Sequence, residues 1–209
     1  MKPSSTRKIK YRLPQGYISW SQLSLVERSP LEYVEHYILR QGRFESEEML
    51  FGRQFADAME NGEIQDQDEA FTFLVRVGVP RLDKPEMEIS ATYRGIKLLG
   101  KPDTIKDDLS EFREYKTGKA EWTQRRVDQH GQLVFYATII FLMTNRIPKA
   151  SLDWLKTYHD PETLDIKATG EVKSFPRTPF TLLDMAKMME RIRKAADKID
   201  GLVRDYTKK

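Results

Sequence analysis

Three charged residues have the types and the spacing that phosphodiester hydrolysis with a metal ion requires. Asp103 follows an apolar segment, the turn-forming segment Lys106–Ser110 comes next, and Glu114 and Lys116 follow the turn. This order predicts a β-hairpin, with Asp103 and Glu114 on neighbouring strands. Because side chains two residues apart in a strand share a face, Glu114 and Lys116 point the same way. One face of the hairpin is therefore predicted to carry two carboxylates and an ammonium group.

Two carboxylates in one place repel each other unless a cation neutralises them, and hard oxygen ligands favour Mg²⁺ or Mn²⁺. A metal held by one or two carboxylates keeps coordination positions for a water molecule and for a phosphate oxygen. It can therefore activate the water for attack and polarise the phosphate. A lysine beside it can orient the water or stabilise the charge on phosphorus. The alternative is a solvated ion pair across the strands, since charged residues are common on exposed strand faces.

The segments around these residues resemble the PD-(D/E)XK nuclease superfamily. The matching segments are Gly100-Lys-Pro-Asp103 and Glu114-Tyr-Lys116. Lys116-Thr-Gly118, with Gln132 and Tyr136 in the next predicted helix, is similar to one branch, the RecB-like exonucleases, which includes stand-alone phage and repair enzymes. The resemblance favours the metal site over the ion pair.

The N-terminal part of the chain is similar to the same branch. Ser19-Trp-Ser21-Gln-Leu23 and Arg28-Ser-Pro30-Leu-Glu-Tyr33 resemble its opening motifs, and Met49–Ala56 resembles its glycine-containing helix. The resemblance covers roughly residues 17 to 158 and continues weakly to the end. It implies an α/β fold with a restriction-endonuclease-like core, in which helices flank a central mixed β-sheet and the N-terminal region is helical.

The resemblance also implies roles for individual residues. Asp103, Glu114 and the backbone carbonyl of Tyr115 would bind Mg²⁺ or Mn²⁺, and Lys116 would position the attacking water. The implied activity is metal-dependent hydrolysis of DNA, by an exonuclease that works in recombination, repair or phage replication.

Gln132 and Tyr136 lie on one stripe of their predicted helix, beside an apolar stripe that would pack on the sheet. The resemblance implies that they help to build the catalytic site and to hold the substrate. The alternative is a surface pair that adds only a few tenths of a kcal/mol to helix stability.

The sequence departs from the family pattern at Ala56, where most members carry a histidine that completes the metal shell. Glu60, Glu86, Glu88 and water are the candidates for the missing ligand, and the sequence does not choose among them. The departure leaves a second function open, that of a catalytically impaired DNA-binding or assembly module with the same fold. The intact carboxylates and lysine favour the active nuclease.

Several hydroxyl and basic residues are candidates for contacts with DNA. Cations that bind phosphate groups release counterions, so the affinity falls as salt is added. The candidates are Ser19, Ser21, Lys119, Arg125 and Arg126. For the basic residues of the N-terminal arm and of the last helix, a solvated surface is the preferred interpretation.

Composition limits the class of protein. The 209 residues suffice for one domain, and 39% hydrophobic, 11% aromatic and 32% charged residues are typical of globular proteins. We predict a flexible basic arm, residues 1–16, and a single nuclease domain, residues 17–209. The longest apolar run, Leu133–Met143, is too short for a membrane span, and basic N-terminal residues lack the apolar segment of a signal peptide.

Cofactors and partners follow from what the sequence contains. Without cysteine, no iron–sulfur cluster can form, and a reducing compartment, the cytoplasm, is predicted. The net charge of +3 is too small to predict nucleic-acid binding by itself. Because no phosphate-binding loop of a motor protein occurs, the expected partners are DNA and a separate helicase or single-strand annealing protein.

The periodicity of apolar residues predicts the elements that must position the site. Helices are expected over 21–27, 31–39, 47–59, 123–144 and 181–206, and strands over 86–93, 96–105, 111–117 and 150–158. Residues 69–77 fit either a helix or a strand, and residues 163–174 fit an edge hairpin or a loop. Because a helix separates them, strands 111–117 and 150–158 are predicted to pair in parallel.

Overall fold

The computed structural model describes residues 11–42, 45–64 and 68–207. The helices are α1 (Trp20–Arg28), α2 (Pro30–Tyr33), α3 (Glu47–Asn61), α4 (Glu69–Phe73), α5 (Gln124–Asp128), α6 (Gly131–Thr144) and α7 (Leu182–Tyr206). Helices α2 and α4 continue into π-helical turns, Val34–Ile38 and Leu74–Gly78. The strands are β1 (Lys84–Pro85), β2 (Ile89–Tyr93), β3 (Ile96–Gly100), β4 (Thr104–Ile105), β5 (Glu111–Gly118), β6 (Lys149–His159) and β7 (Ile166–Pro176).

The strands form a mixed five-stranded sheet and a smaller two-stranded sheet. The order in the large sheet is β1-β4-β5-β6-β7, and β2 pairs with β3 in the small one. Strands β5 and β6 are parallel, as predicted, whereas the other neighbours in the large sheet are antiparallel. Helices α5 and α6 supply the crossover that a parallel pair requires.

Each face of the large sheet packs against a separate set of helices. Phe112 and Leu152 belong to a core that includes residues of α1, α6 and α7 and of the small sheet. Tyr115 and Leu155, on the opposite face, belong to a second core with residues of α3 and α4. The arrangement is a mixed α/β fold in which helices flank a central sheet, consistent with a restriction-endonuclease-like core.

Side chains at the helix ends explain where four of the helices begin. Ser19, Ser46, Thr123 and Thr181 each accept a hydrogen bond from a backbone N–H in the first turn that follows. Such caps satisfy donors that the helix itself leaves unpaired. Residue Ile18 forms a parallel bridge with Leu98, so the cap at Ser19 places the start of α1 beside the small sheet.

Two predicted elements are divided in the structure. The strand expected over 96–105 is wrong as a single element, because β3 ends at Gly100 and β4 begins at Thr104 in the other sheet. Pro102 lies at this break, where its missing N–H cannot contribute to a strand ladder. The helix expected over 123–144 is likewise two helices, α5 and α6.

Two other expectations are decided by the structure. Residues 69–77 are helical rather than a strand, and residues 163–174 fall mainly in β7. Residues 1–10 of the predicted arm lie outside the described residues. Within the described part of that arm, Tyr11 and Arg12 are hydrogen-bonded to the side chains of Asp197 and Asp200 on α7. In the described part of the chain, no helix is both long and apolar enough to cross a membrane.

Candidate active site

Asp103 and Tyr115 contact each other at the start of β4. Asp103 lies in the bend directly before this strand, and its Oδ2 accepts a hydrogen bond from the backbone N–H of Tyr115 on β5. The N–H and C=O groups of one strand residue point to the same side of the strand. The carbonyl of Tyr115 is therefore directed to the same side of β5 as the Asp103 carboxylate, and Glu114 is the preceding residue of this strand.

Glu114 and Lys116 share the face of β5 that is covered by α6. The Nζ atom of Lys116 lies 2.6 Å from Oε1 of Glu114. The side chain of Glu114 is 3% exposed and that of Lys116 is 28% exposed. The other carboxylate oxygen of Glu114, Oε2, is buried and has no hydrogen-bond partner among the described residues. An acceptor of this kind is costly to bury unless something binds it.

Gln132 and Tyr136 extend the cluster from β5 to α6. Nζ of Lys116 donates to Oε1 of Gln132 at 3.1 Å, and Nε2 of Gln132 donates to the Tyr136 hydroxyl at 2.9 Å. The Tyr136 hydroxyl in turn donates to the carbonyl of Lys101 at 3.2 Å. A chain of hydrogen bonds thus runs from Glu114 to the segment that precedes Asp103.

Burial and neighbouring charges raise the pKa values of both carboxyl groups. Burial, and then the neighbouring charge of Glu114, raise the pKa of Asp103 well above its ordinary value. Burial also raises the pKa of Glu114, although the charge of Lys116 opposes this. For Lys116, burial lowers the pKa, but the charges of Glu114 and Asp103 outweigh it and the net pKa is raised. A divalent cation beside the carboxylates would favour their ionised forms.

The donor groups fit a hard divalent cation. Two carboxylates and a carbonyl are oxygen ligands of the kind that Mg²⁺ and Mn²⁺ bind, and such ions keep waters when the protein offers few ligands. The unpartnered Oε2 of Glu114 supplies a buried acceptor for such an ion. Among residues 11–42, 45–64 and 68–207, no group of three or more Asp, Glu or His side chains is arranged to hold a metal. A metal here would depend on the two carboxylates, the carbonyl and water.

Helix α3 passes the site on the other face of the sheet, and Ala56 lies between two contacts of this helix. A Cβ atom at Gly52 would lie 3.3 Å from Oγ1 of Thr117 on β5. One turn beyond Ala56, Oε1 of Glu60 lies 3.8 Å from Nζ of Lys101. Residues four apart share a helical face, so Ala56 faces the region between these two contacts.

Glu86, another candidate to replace the histidine of the family pattern, contacts the backbone of Asp103. Its N–H donates to the carbonyl of Asp103 at 3.0 Å, and its carboxylate forms an ion pair with Lys101. The charge of Glu86 contributes to the raised pKa of both Asp103 and Glu114. Glu88 is exposed, and no described ion pair involves it. The pairing of Lys101 with Glu60 and Glu86 was not predicted from the sequence, although Lys101 lies only two residues before Asp103.

The candidates for DNA contacts fall into two groups. Ser19 and Ser21 lie at the start of α1, with their Oγ atoms 2.9 Å apart, and Ser19 also caps the helix. Lys119, Arg125 and Arg126 are exposed and follow β5 along the chain. Trp122, which was not predicted from the sequence, lies beside Arg126 and His130. The spacing of Trp122 and Arg126, one helical turn, was the available signal.

Known proteins resemble this chain in sequence and in fold. A family model for the PD-(D/E)XK nuclease superfamily matches residues 63–207, more than half of the chain. The match includes Asp103, Glu114, Lys116, Gln132 and Tyr136, whereas the N-terminal motifs up to Gly62 lie outside it. No curated protein matches the sequence.

A solved structure shares the fold of this chain at low sequence identity. A "putative exonuclease" from Eubacterium rectale superposes with a TM-score of 0.63 at 12% identity, over 90% of this chain and 83% of that one. At this identity the similarity concerns the fold alone. The structure of Scheffersomyces stipitis Rai1 in complex with (3'-NADP)+ and calcium ion gives a TM-score of only 0.19 at 15% identity, over 53% of this chain and 28% of that chain. That similarity supports no conclusion.

Proposed function

The chain belongs to the PD-(D/E)XK nuclease superfamily, and we propose that it is a DNA exonuclease of the RecB-like type that uses Mg²⁺ or Mn²⁺. Members of the superfamily depend on divalent metals. The observation that supports the proposal is the buried Oε2 of Glu114, which has no partner among the described residues. Glu114 lies beside the ammonium group of Lys116 and directly precedes the strand residue that binds Asp103.

Asp103, Glu114 and the Tyr115 carbonyl would hold the metal ion. A bound divalent ion lowers the pKa of a water molecule and polarises the phosphate that the water attacks. The short β4 supports this arrangement, because it begins only after Asp103 and leaves the N–H of Tyr115 to bind the carboxylate. The carboxylate of Asp103 is thereby oriented by the backbone.

Lys116 would hold the attacking water and stabilise the charge that develops on phosphorus. Its raised pKa keeps the ammonium protonated, so it acts as a hydrogen-bond donor. Two of its hydrogen bonds go to Glu114 and Gln132, and these fix where the ammonium points. Because the side chain is partly exposed, substrate can approach it.

Gln132 and Tyr136 would act as positioning residues. Tyr136 holds the amide group of Gln132, and Gln132 holds Lys116. Partners of this kind orient the groups that contact a metal or a substrate, and they limit motion that would slow the reaction. The exposed Lys119, Arg125 and Arg126 would bind phosphate groups of the substrate.

Cellular role and location remain part of the proposal. A separate helicase or single-strand annealing protein would supply processed DNA ends in recombination, repair or phage replication. The cytoplasm is the proposed location, because the sequence has no cysteine and so requires no oxidising compartment.

A nuclease assay with linear and covalently closed circular DNA tests the proposal. The wild type is expected to degrade linear DNA with Mg²⁺ or Mn²⁺, to spare the circle, and to lose all activity in excess chelator. Lys116→Ala should bind DNA but cut it about 10²–10³ times more slowly, since one donor to the transition state is lost. Lys194→Ala, an exposed lysine on α7, is the matched control and should match the wild type.

Each result of this assay has a definite meaning. Cleavage of the closed circle would identify an endonuclease. Binding without turnover in any metal would favour the catalytically impaired DNA-binding module, which the missing histidine equivalent at Ala56 leaves as the second candidate. Equal activity of the wild type and Lys116→Ala, or activity in chelator, would contradict the proposed site.

A further inference from the structure

Three aromatic rings and one guanidinium group lie next to one another around α5 and the start of α6. The guanidinium carbon of Arg126 lies 4.4 Å from the centroid of the Trp122 ring. The ring of His130 stands edge-on to Trp122, with centroids 5.1 Å apart and an interplanar angle of 70°. The ring of Trp20 approaches His130 at 6.5 Å. We call Trp20, Trp122, Arg126 and His130 the aromatic column.

The aromatic column lies beside the lysine of the proposed site. His130 precedes Gln132 by two residues, a span of at most about 7 Å, and Gln132 contacts Lys116 at 3.1 Å. The charge of Lys116 also contributes to the lowered pKa of His130, after burial. A substrate strand that leaves Lys116 in this direction would therefore pass the aromatic column within a short distance.

Packing fixes the inner part of the aromatic column. Trp20 occupies the space above Gly131, where a Cβ atom would lie only 2.2 Å from Cη2 of the indole. His130 has a buried Nδ1 atom with no hydrogen-bond partner in the described part of the chain. Its ring is therefore held mainly by packing between Trp20 and Trp122, which keeps the column in one position.

The outer part of the aromatic column is open and positively charged. Trp122 is half-buried, Arg126 is exposed, and the neighbouring Lys119 and Arg125 are exposed as well. An aromatic ring or a guanidinium plane can stack on any nucleobase, because every base has a π face, and the nearby cations can bind the phosphates of the same strand. This combination of stacking groups and cations is the pattern of a single-strand binding surface.

We propose that the aromatic column is a stacking site for an unpaired nucleobase of a single-stranded DNA end, close to the phosphate that is cleaved. The inference rests on the proposed function, since a nucleic-acid substrate is what brings a base to this surface. A base within a duplex is covered on both faces by its neighbours, so the site would select unpaired strands. Single-stranded DNA would then be the substrate of this nuclease.

Binding to DNA without metal tests the stacking site apart from catalysis. Fluorescence anisotropy in chelator would compare a labelled oligothymidylate with a strand of equal length that lacks bases. Trp122→Ala should weaken binding of the oligothymidylate about 10- to 100-fold and leave binding of the abasic strand unchanged. Trp122→Phe, which keeps a ring, should restore most of the affinity.

Arg126→Ala provides a second variant at an exposed position, where folding is not at risk. It should weaken binding of both strands, and that of the oligothymidylate more. The matched control is Arg94→Ala, which removes a guanidinium that lies 5.5 Å from the ring of Tyr93 at the turn between β2 and β3. This variant should bind both strands as the wild type does.

Several results would overturn the stacking site. One is equal affinity of the wild type and Trp122→Ala for the oligothymidylate. Another is a loss of affinity in Trp122→Ala that is as large for the abasic strand as for the oligothymidylate. A third is tighter binding of a blunt duplex than of the single strand. Because no metal is present, loss of turnover cannot produce any of them. If these results appear while cleavage still requires Lys116 and metal, the stacking site is wrong and the proposed nuclease function stands.

Discussion

The ammonium group of Lys116 lies 3.1 Å from Oε1 of Gln132, and this contact joins β5 to α6 across the candidate site. The opposite end of the amide, Nε2, donates to the hydroxyl of Tyr136. Because that hydroxyl donates in turn to the carbonyl of Lys101, the orientation of the amide is set and its oxygen must face Lys116. The position of the lysine thus depends on a helix that comes later in the chain.

Replacement of Gln132 by leucine should slow the reaction without abolishing binding. Leucine keeps most of the volume but cannot accept the hydrogen bond from Lys116, so kcat should fall by about 10- to 100-fold with little change in KM. Gln129→Leu, an exposed glutamine in the same segment, is the matched control. In Lys116→Ala, the second change Gln132→Leu should have little further effect, since the two groups act together. Additive losses would show that Gln132 acts independently of the lysine.

The sequence contained much of the site, because its members lie in three short segments with strand or helix periodicity. Asp103, Glu114 and Lys116 meet as the predicted hairpin required, although Asp103 lies in a bend and not in a strand. The break at Pro102 was present in the sequence as well, since proline cannot donate to a ladder. The predicted roles of these residues stay predictions.

Features that depend on contacts between distant segments could not be predicted. Gly131, the first residue of α6, has no room for a side chain because the ring of Trp20 occupies the space beside it, and no local pattern reports a contact between segments so far apart. The break between α5 and α6 leaves Gln129 outside both helices, although the helix predicted over 123–144 included it.

A side chain at Gly100 should destabilise the fold around Tyr136. A Cβ atom there would lie 2.8 Å from Cδ1 of Tyr136 and 3.1 Å from Cδ1 of Ile139, so Gly100→Ala must displace buried rings. We expect a loss of about 1–3 kcal/mol in the free energy of unfolding. Gly201→Ala, in α7 with no atom within 4 Å of its Cβ, should be neutral or stabilising by up to about 1 kcal/mol. Urea unfolding measures both variants, and an unchanged midpoint for Gly100→Ala would contradict this packing.

The ion pair between Arg113 and Asp153 should be needed for stability on the opposite face of β5. Nε and Nη2 of Arg113 donate to the two carboxylate oxygens at 2.8 and 2.9 Å, and the side chain of Asp153 is 0% exposed. Arg113→Met would leave a buried carboxylate without its cation, which costs about 3–5 kcal/mol.

The double variant Arg113→Met with Asp153→Leu separates this cost from lost packing. It removes the unpaired charge and should recover most of the stability, because buried ion pairs add little compared with apolar residues of similar volume. Lys194→Met, which removes an exposed cation near Glu190, is the control and should change stability by less than about 1 kcal/mol. Equal losses for the single and double variants in urea unfolding would mean that packing dominates.

His130 should make the protein less stable as the pH falls. Burial, and then the charges of Lys116 and Arg126, lower its pKa from 6.5 to about 4. Between these two values the unfolded chain binds a proton that the folded protein excludes, so the free energy of unfolding decreases as the pH falls through this window. His130→Phe removes this contribution and should flatten the stability profile between pH 6.5 and pH 4 relative to the wild type. Parallel profiles of the two proteins would contradict the lowered pKa, and NMR titration of the His130 ring would measure it directly.

The metal shell is predicted to have one ligand fewer than the family pattern, which carries a histidine at the position of Ala56. Ala56 lies on α3 between Gly52, which adjoins Thr117, and Glu60, which approaches Lys101. A histidine at this position would point toward the region between β5 and the segment before Asp103, where the proposed metal ligands converge. We therefore expect Ala56→His to bind Mn²⁺ more tightly than the wild type, with a smaller gain for Mg²⁺, because an imidazole suits Mn²⁺ better.

Titration calorimetry without DNA measures this gain separately from turnover. The wild type, with two carboxylates, a carbonyl and water as ligands, should bind metal weakly and should require a high metal concentration for activity, with Mn²⁺ preferred over Mg²⁺. Gln54→His, at an exposed position on α3 away from the stripe of Gly52, Ala56 and Glu60, is the matched control and should leave the affinity unchanged. If folded Ala56→His also binds metal no more tightly, Ala56 does not face the ligands, and Glu86, whose charge affects both carboxylates, becomes the candidate to replace the absent histidine.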